Sequence, residues 1–249
     1  CSSDLWGNDN VPLRAPGKTL LYYINKKYDV YIIGIAKNNL RYKKFENVKF
    51  VGHIPFVGLK SNAYLRYLLT NFVAIPMLWI YGLIVTRLFN ILTIYGYEVH
   101  GVVAGRAIVY LSRAKLISRF QGSVLYNSLK HGTKFKNLSL FTHYLAFKMK
   151  CHKAVITDDG TKANVVFRVL NKSEYIFLKN GVNIPEKLLS KPELSQILNL
   201  EMPERYLCIS SRLVTWKRVE RSIKALSIMQ SAETKPALVI VGGGPRKHF

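Results

Sequence analysis

Two cations and a glycine run near the end of the chain have the residue types needed to hold a phosphate group. Arg212 and Lys217 stand five positions apart, and Gly242, Gly243 and Gly244 follow in the same region. A guanidinium and an ammonium can converge on one phosphate, and glycine lets the backbone approach a ligand because it has no Cβ. The pattern is typical of an anion site. It also fits a solvated basic edge beside an ordinary turn.

The elements that must position these residues predict half of a parallel α/β sheet. Tyr206–Ser210 and Ala237–Val241 are short apolar runs, as buried strands are. Between them, residues 217–229 carry apolar side chains at helical spacing. Ligands of parallel sheets bind beyond the carboxyl ends of the strands. Arg212 and the three glycines are therefore expected at the ligand-binding edge.

The charge at the start of this helix supports an anion site. Lys217, Arg218 and Arg221 all fall in the first turn of the predicted helix. The helix dipole disfavours cations there, by roughly 0.3 to 1 kcal/mol each. A bound polyanion would remove the conflict, because it accepts hydrogen bonds from the helix start and from the cations together.

The ordered pattern resembles a known enzyme family. Ser211-Arg212-Leu213-Val214, Trp216-Lys217 and, after a helix, Ile240-Val241-Gly242-Gly243-Gly244-Pro245 resemble the second domain of family-4 retaining glycosyltransferases of the GT-B fold. The resemblance implies an α/β protein with two Rossmann-like, doubly wound parallel-sheet domains, the second incomplete. It also implies transfer of a sugar from a nucleotide-diphosphate-sugar donor with retention of configuration, in cell-envelope or glycan biosynthesis.

The resemblance also implies roles for individual residues. Arg212 and Lys217 would be the catalytic cations that hold the donor diphosphate, and Gly242, Gly243 and Gly244 would complete the donor site. Family members need no metal, so neither a metal nor a cofactor is expected besides the donor substrate. The identities of the sugar, the base and the acceptor do not follow from the resemblance.

The same resemblance suggests two domains in a piece of a longer enzyme. We expect residues 1–185 to form the N-terminal, acceptor-side domain and residues 186–249 to begin the C-terminal, nucleotide-sugar-binding domain. The chain opens on a polar loop without the strand that would precede it. It also stops before the pair of glutamates that contact the donor in the family. We therefore expect this piece to be inactive by itself.

Apolar runs and helical spacing predict alternating strands and helices throughout the first domain. The predicted strands are 28–33, 47–51, 91–95, 115–120, 154–157 and 175–179, and the predicted helices are 16–26, 99–112, 137–150 and 161–170.

Five residues near predicted strand ends are candidates for a substrate cleft. The resemblance directs the turns at Glu98, His100, Gln121, Gly122 and Asn180 towards it. Glu98 and His100 could act as acid and base, or they could form a structural hydrogen bond. Gln121 stands where many family members have histidine, which leaves its contact with a sugar open.

Asp158 and Asp159 form the one pair of adjacent carboxylates at a predicted strand end. Two carboxylates could hold a metal. Their position before the helix 161–170 instead favours a role as its N-cap, because a carboxylate accepts hydrogen bonds from the first helical N–H groups.

The charge of the chain predicts an anionic partner. The formal net charge is +23 and the isoelectric point is near 10.0, which attracts nucleotides, anionic membranes and nucleic acid. The expected partners are a nucleotide-sugar donor, a lipid-linked or glycan acceptor and an anionic membrane surface. No nucleic-acid motif is present, so nucleic acid is not expected. The alternatives are a non-catalytic basic module for nucleic acid or membrane, and an inactive relative that binds sugar nucleotides.

An uncharged apolar stretch bears on localisation. Residues 68–86 carry no charge. A stretch of this length can span a membrane. We instead expect a helix packed on the sheet with one face towards lipid, because the strands on both sides of it look like members of one sheet. Cys1, Cys151 and Cys208 lack paired spacing, which fits a reducing compartment. A cytoplasmic protein at the inner face of the membrane is expected.

Overall fold

The computed structural model shows parallel strands that alternate with helices. It describes residues 15–34, 45–54, 65, 68–132, 138–158, 160–179, 188–229 and 236–244. The chain divides into two compact units, Cys1–Gly181 and Val182–Phe249. All strand pairs among the described residues are parallel. The expected α/β class is therefore confirmed at the level of parallel sheets and helices.

The first unit contains six strands and six helices among its described residues. The strands are β1 (Val30–Gly34), β2 (Val48–His53), β3 (Thr93–Tyr97), β4 (Lys115–Phe120), β5 (Lys153–Asp158) and β6 (Tyr175–Lys179). The helices are α1 (Ala15–Asn25), α2 (Ile75–Leu88), α3 (Glu98–Tyr110), α4 (Tyr126–Lys130), α5 (Leu138–Lys148) and α6 (Ala163–Leu170).

The strands of the first unit form two sheets. β1 pairs with β2, and the other four strands follow the order β3-β4-β5-β6. The expectation that the strands before and after the apolar stretch share one sheet is therefore wrong for the described residues. Apolar runs identify strands, but they do not record which strands become neighbours.

The bounds of most predicted elements agree with the structure to within a few residues. The predicted strands 115–120 and 175–179 coincide with β4 and β6. The predicted strand 91–95 lies two residues too early, since β3 is Thr93–Tyr97. It ends where Glu98 adopts a left-handed conformation with φ of 57° and α3 begins at once.

The core of the four-stranded sheet is built from aromatic side chains on one face. Phe120 of β4 stacks on Phe147 of α5 with ring centroids 4.1 Å apart, and Phe167 of α6 contacts both rings. Val102 of α3 and Ile156 of β5 complete this cluster, and all five side chains are buried. Aromatic packing holds α5 and α6 against the sheet, and Val102 adds α3 to the same core.

Helix α2 joins a second core between α3 and β1. Gly82 of α2 lies so close to Ile108 of α3 that an added Cβ would collide with that side chain. Leu78, Ala104 and Ile54 form the buried cluster beside this contact. The absence of a side chain at Gly82 therefore allows the two helices to pack closely.

The apolar stretch forms one continuous helix. A π-helical turn at Thr70–Ala74 leads into α2, and Pro76 follows it. Proline has no N–H for the regular ladder, which explains the irregular turn. The helix Thr70–Leu88 has a mean hydropathy of 1.5, and 28% of its apolar window is buried. Its length and composition allow a membrane span, but a core helix of a soluble protein can have both.

The start of α6 corrects the predicted capping role of the two aspartates. The helix begins at Ala163, not at residue 161, and the N-cap residue is Lys162 in a left-handed conformation. Lys162 makes no side-chain capping bond, and neither aspartate stands at the N-cap position, so the N-cap role predicted for Asp158 or Asp159 is wrong. The turn at Lys162 brings Ala163 into the core, where it is buried. Asp159 and the side chain of Asp158 lie outside the described residues.

The second unit repeats the strand and helix alternation on a smaller scale. It contains α7 (Lys191–Leu198), β7 (Tyr206–Ser210), α8 (Val219–Ile228) and β8 (Ala237–Val241). Both strands match the predicted bounds. They pair in parallel from Tyr206 opposite Ala237 to Ser210 opposite Val241. A capping box between Ser190 and Glu193 begins α7.

Replacement of Gly96 by alanine should destabilise the first unit. A Cβ on Gly96 would lie 2.8 Å from the carbonyl oxygen of Gly101 and 3.0 Å from the Cα of Val102. Both atoms belong to the α3 backbone, so the helix itself would have to move. We expect the free energy of unfolding in urea to fall by about 1 to 3 kcal/mol. Thr93→Ala, at the exposed start of the same strand, is the control. A Gly96→Ala protein as stable as this control would contradict the close approach.

Candidate functional site

The loops after β7 and β8 continue the pairing of the two strands. The N–H of Ser211 donates to the carbonyl oxygen of Val241 at 3.0 Å, and the N–H of Leu213 donates to the carbonyl oxygen of Gly243 at 3.0 Å. The loop that carries Arg212 is thus held against the glycine run. The structure brings these two sequence motifs together at the carboxyl end of the strand pair, as the sequence predicted for parallel strands.

The three glycines of this run have different roles. A Cβ on Gly242 would collide with the carbonyl oxygen of Ser211, and a Cβ on Gly244 would collide with that of Leu213. No atom of the described residues lies within 4 Å of a Cβ built on Gly243. Gly242 and Gly244 therefore allow two protein loops to approach each other. Of the three glycines, Gly243 is the one whose backbone a ligand could approach past the described residues, as expected from the sequence.

Arg212 lies between Ser211, which bonds to Val241 at the end of β8, and Leu213, which bonds to Gly243. Its backbone is held in a tight turn, because the N–H of Val214 donates to the Arg212 carbonyl oxygen at 3.0 Å. The next side chain, Leu213, is buried, whereas Arg212 is exposed. The buried leucine and the loop bonds anchor the backbone while the guanidinium remains accessible to an anion.

Lys217 lies at the end of a separate short turn. Thr215–Lys217 forms a single 3-10 turn, in which the N–H of Lys217 donates to the carbonyl oxygen of Val214 at 3.0 Å. The Lys217 residue is exposed. Arg212 and Lys217 therefore lie on one short segment between β7 and α8, with Val214 bonded to the backbone of both.

The helix start corrects the argument from the dipole. Lys217 and Arg218 precede α8, because Arg218 adopts a left-handed conformation with φ of 53° and serves as the N-cap residue. The first turn contains Glu220, which the dipole favours, and Arg221. The predicted cationic helix start is therefore wrong for two of its three residues. The left-handed conformation of Arg218 makes Val219 the first helical residue, so Lys217 and Arg218 lie before the helix.

A second candidate edge lies at the carboxyl ends of β3, β4 and β5 in the first unit. The carboxylate of Glu98 accepts a hydrogen bond from the backbone N–H of Gln121 at 2.8 Å. The hydroxyl oxygen of Thr161 accepts one from the N–H of Ser123 at 2.7 Å. These bonds tie three strand-end loops together around Gly122, which is half-buried. Of the sequence candidates, Glu98, Gln121 and Gly122 share this edge.

The geometry gives Glu98 and His100 different neighbours. Glu98 supports the Gln121 loop, whereas His100 of α3 interacts electrostatically with His143 of α5. Burial lowers the pKa of His100, and the nearby His143 lowers it further. Burial also lowers the pKa of His143. The Glu98 contact is a structural hydrogen bond to the Gln121 backbone, and it does not test the bond expected between Glu98 and His100. Asn180 lies outside the described residues.

A buried polar group on β3 and β4, Tyr97 with Arg119, was not predicted from the sequence. Arg119 is only 8% exposed, and among the described residues its Nε and the Tyr97 hydroxyl have no hydrogen-bond partner. Burial is the main cause that raises the pKa of Tyr97, and the charge of Glu98 adds to it. Arg119 also lines an open groove of about 520 Å³ with Tyr95 and Tyr23. A lone arginine inside the strand KLISRF was the sequence signal for this group.

Metal binding and family membership have no independent support. Within the described ranges, no group of three histidine, cysteine or acidic side chains is arranged to hold a metal ion. No protein-family model matches the chain, and no curated protein matches it. The function of the site is therefore inferred from its geometry and from the sequence motifs.

Alanine at position 244 should open the paired loops of the second unit. The added Cβ would collide with the Leu213 carbonyl oxygen, so the glycine run would have to separate from the Arg212 loop. We expect faster hydrogen exchange at the Leu213 amide in Gly244→Ala. Gly243→Ala is the matched control, since its Cβ meets open space. Equal exchange rates in the two variants would show that the glycines do not hold the loops together.

The buried histidines should make the first unit less stable in mild acid. The pKa values of His100 and His143 are lowered in the fold, so both stay neutral at pH values where the unfolded chain binds protons. The free energy of unfolding should therefore fall as the pH falls below the ordinary histidine value of 6.5. Urea titrations above and below that pH measure the change. His100→Gln should reduce the dependence, and an unchanged dependence would exclude His100 as its source.

Proposed function

We propose that the chain is a glycosyltransferase of the family-4, GT-B type, which moves a sugar from a nucleotide-diphosphate-sugar donor to an acceptor with retention of configuration. The observation that carries this proposal is the pair of hydrogen-bonded loops after β7 and β8, which holds the Arg212 segment against the glycine run, with Lys217 exposed five residues further on. The motif resemblance and the parallel α/β architecture point in the same direction.

The proposed chemistry depends on charge that develops in the reaction. As the glycosidic bond of the donor breaks, negative charge grows on the departing diphosphate. Cations that are already in place stabilise this charge more in the transition state than in the ground state. Arg212 offers a planar fork for two phosphate oxygens, whereas Lys217 offers a mobile point charge. The two residues would therefore have complementary roles.

The surrounding backbone supports a diphosphate at this edge. Gly243 has open space where a side chain would otherwise lie, so a phosphate could approach its backbone. The first turn of α8 has N–H groups that are free of intrahelical partners, as at any helix start. In this proposal Gly242 and Gly244 contribute indirectly, because they let the glycine run lie against the Arg212 loop.

The first unit would supply the acceptor side. Gln121 and Gly122 lie at the carboxyl edge of the four-stranded sheet, where parallel sheets bind ligands. Glu98 would position this loop through its bond to the Gln121 N–H, and we assign it no proton transfer. The proposal covers a lipid-linked or glycan acceptor. It requires no metal, because the cations of the protein neutralise the leaving group.

A non-catalytic basic module is the second candidate function, and the net charge of +23 favours it. Such a module would bind nucleic acid or membrane through its charge, with a steep dependence on salt. An inactive relative that binds sugar nucleotides would share the donor site but transfer nothing. The enzyme and the inactive relative would bind a sugar nucleotide, whereas the basic module would not. Only the enzyme would transfer the sugar.

Loss of the Arg212 guanidinium should weaken donor binding. Titration calorimetry with uridine and guanosine diphosphate-sugars should detect binding to the intact chain. Arg212→Ala should bind roughly tenfold more weakly or worse, because a charge-assisted hydrogen bond contributes about 1.5 to 3 kcal/mol. Lys224→Ala, at an exposed cation on α8, should bind as the unmodified chain does. Equal affinities of the Arg212 and Lys224 variants would remove the chemical basis of the proposal.

In the intact enzyme, the rate of sugar transfer should depend on Arg212 as well. Arg212→Ala should cost roughly 3 kcal/mol of transition-state stabilisation, by analogy with the removal of one preorganised donor. The comparison of kcat/KM between this variant and Lys224→Ala measures the loss. A rate within about twofold of the unmodified chain would argue against a catalytic role for Arg212.

A further inference from the structure

A basic pocket lies at the amino edge of the four-stranded sheet. It is an open depression of about 270 Å³, and four cationic or titratable side chains line it together with Ala114, Leu116 and Cys151. The four residues that define this basic pocket are Arg106, Lys115, Lys150 and His152. They come from α3, from the first residue of β4 and from the segment before β5. The pocket thus lies at the opposite edge from Gln121 and Gly122.

The backbone beneath the basic pocket is held by hydrogen bonds. The N–H of His152 donates to the carbonyl oxygen of Leu116 at 2.8 Å, and the N–H of Lys115 donates to that of Leu92 at 2.8 Å. Leu116 is buried and forms part of the floor. The cations are therefore carried by fixed backbone positions on the sheet edge, although they are distant in sequence.

The charges of the basic pocket lack acidic partners in the described part of the chain. The two salt bridges found there join Lys49 to Asp29 and Lys153 to Glu174. The carboxyl end of α3 favours nearby cations through its dipole, which accounts for Arg106. It does not account for Lys115 and Lys150 on other elements. Cations gathered around one cavity repel each other, and a bound anion would relieve that repulsion.

Exposed apolar side chains adjoin this pocket. They lie at the carboxyl ends of α2 and α3 and just before β3, where Leu92 is 76% and Tyr110 is 79% exposed. We call this group the apolar rim, and its members are Leu88, Phe89, Leu92, Tyr110 and Leu111. The backbone bond from Lys115 to Leu92 places Leu92 next to the basic pocket, and Tyr110 follows the pocket residue Val109 in the chain. Arg87 and Arg113, both exposed, lie next to rim residues in the sequence.

We propose that this amino edge docks on an anionic phospholipid bilayer, with the basic pocket around a lipid phosphate and the apolar rim in the interface. Cations bind the headgroups of such a bilayer, while leucine and aromatic side chains enter the boundary between headgroups and acyl chains. Nucleic acid would match the charge, but it offers no apolar phase for Leu88 and Leu92. The combination therefore favours lipid over nucleic acid.

This proposal goes beyond the transferase function and does not depend on it. In a parallel sheet the amino and carboxyl edges face opposite ways, and the residues assigned to the donor lie in the other unit. Failure of donor binding would leave the docking proposal intact, and the reverse also holds.

Vesicle sedimentation of the full chain tests the proposal. The chain should bind vesicles of phosphatidylcholine that contain phosphatidylglycerol much more tightly than phosphatidylcholine alone. Lys115→Glu/Lys150→Glu should lower the partition coefficient roughly tenfold or more, because each cation near the surface contributes about 1 kcal/mol. Leu92→Ser should lower it roughly fivefold through loss of apolar insertion. Lys115, Lys150 and Leu92 are all exposed, so the fold should tolerate the changes.

Lys26→Glu/Lys224→Glu is the matched control, since it changes the net charge equally at two exposed positions away from this edge. The proposal requires this control to bind far better than Lys115→Glu/Lys150→Glu. Equal losses in both variants, or unchanged binding in Leu92→Ser, would overturn it. The proposal would also be overturned if Lys115→Glu/Lys150→Glu lost binding to single-stranded RNA but kept binding to vesicles. Circular dichroism of each variant confirms that the comparison is made between folded proteins.

Discussion

Parallel strand pairing is the constraint on which the rest of the structure depends. Strands that run in one direction must be joined by return connections, usually helices, so their carboxyl ends collect at one edge and their amino ends at the other. In the first unit, the stack of Phe120 on Phe147 helps to hold the returning helices on the sheet. Side chains that are distant in sequence are thereby sorted onto two edges with different chemistry.

At the carboxyl edges, the loops are held mainly by bonds to backbone groups. Glu98 accepts from the Gln121 N–H in the first unit, and Leu213 donates to Gly243 in the second. Bonds of this kind fix the path of a loop without using the side chain that would contact a ligand. They explain how Arg212 can remain exposed and yet be carried by a well-defined turn.

The positive charge of the chain includes two separate groups of cations with different neighbours. Arg212 lies on a loop bonded to the glycine run, whereas Lys115 bonds to Leu92 of the apolar rim. We propose a diphosphate for the first group of cations and a bilayer for the second, because different groups lie next to them. The net charge of +23 indicates only that anions are attracted.

The sequence by itself determined the parallel α/β class and the position of most strands, because continuous apolar runs mark buried strands wherever they occur. It also determined that Arg212 and the glycine run would follow neighbouring strands. Only the tertiary structure decided that Lys217 lies outside α8, that Glu98 bonds to Gln121, and which glycines allow loops to meet. It alone assembled the basic pocket from three separate elements. These features depend on left-handed turns and on contacts between distant residues, which local periodicity does not encode.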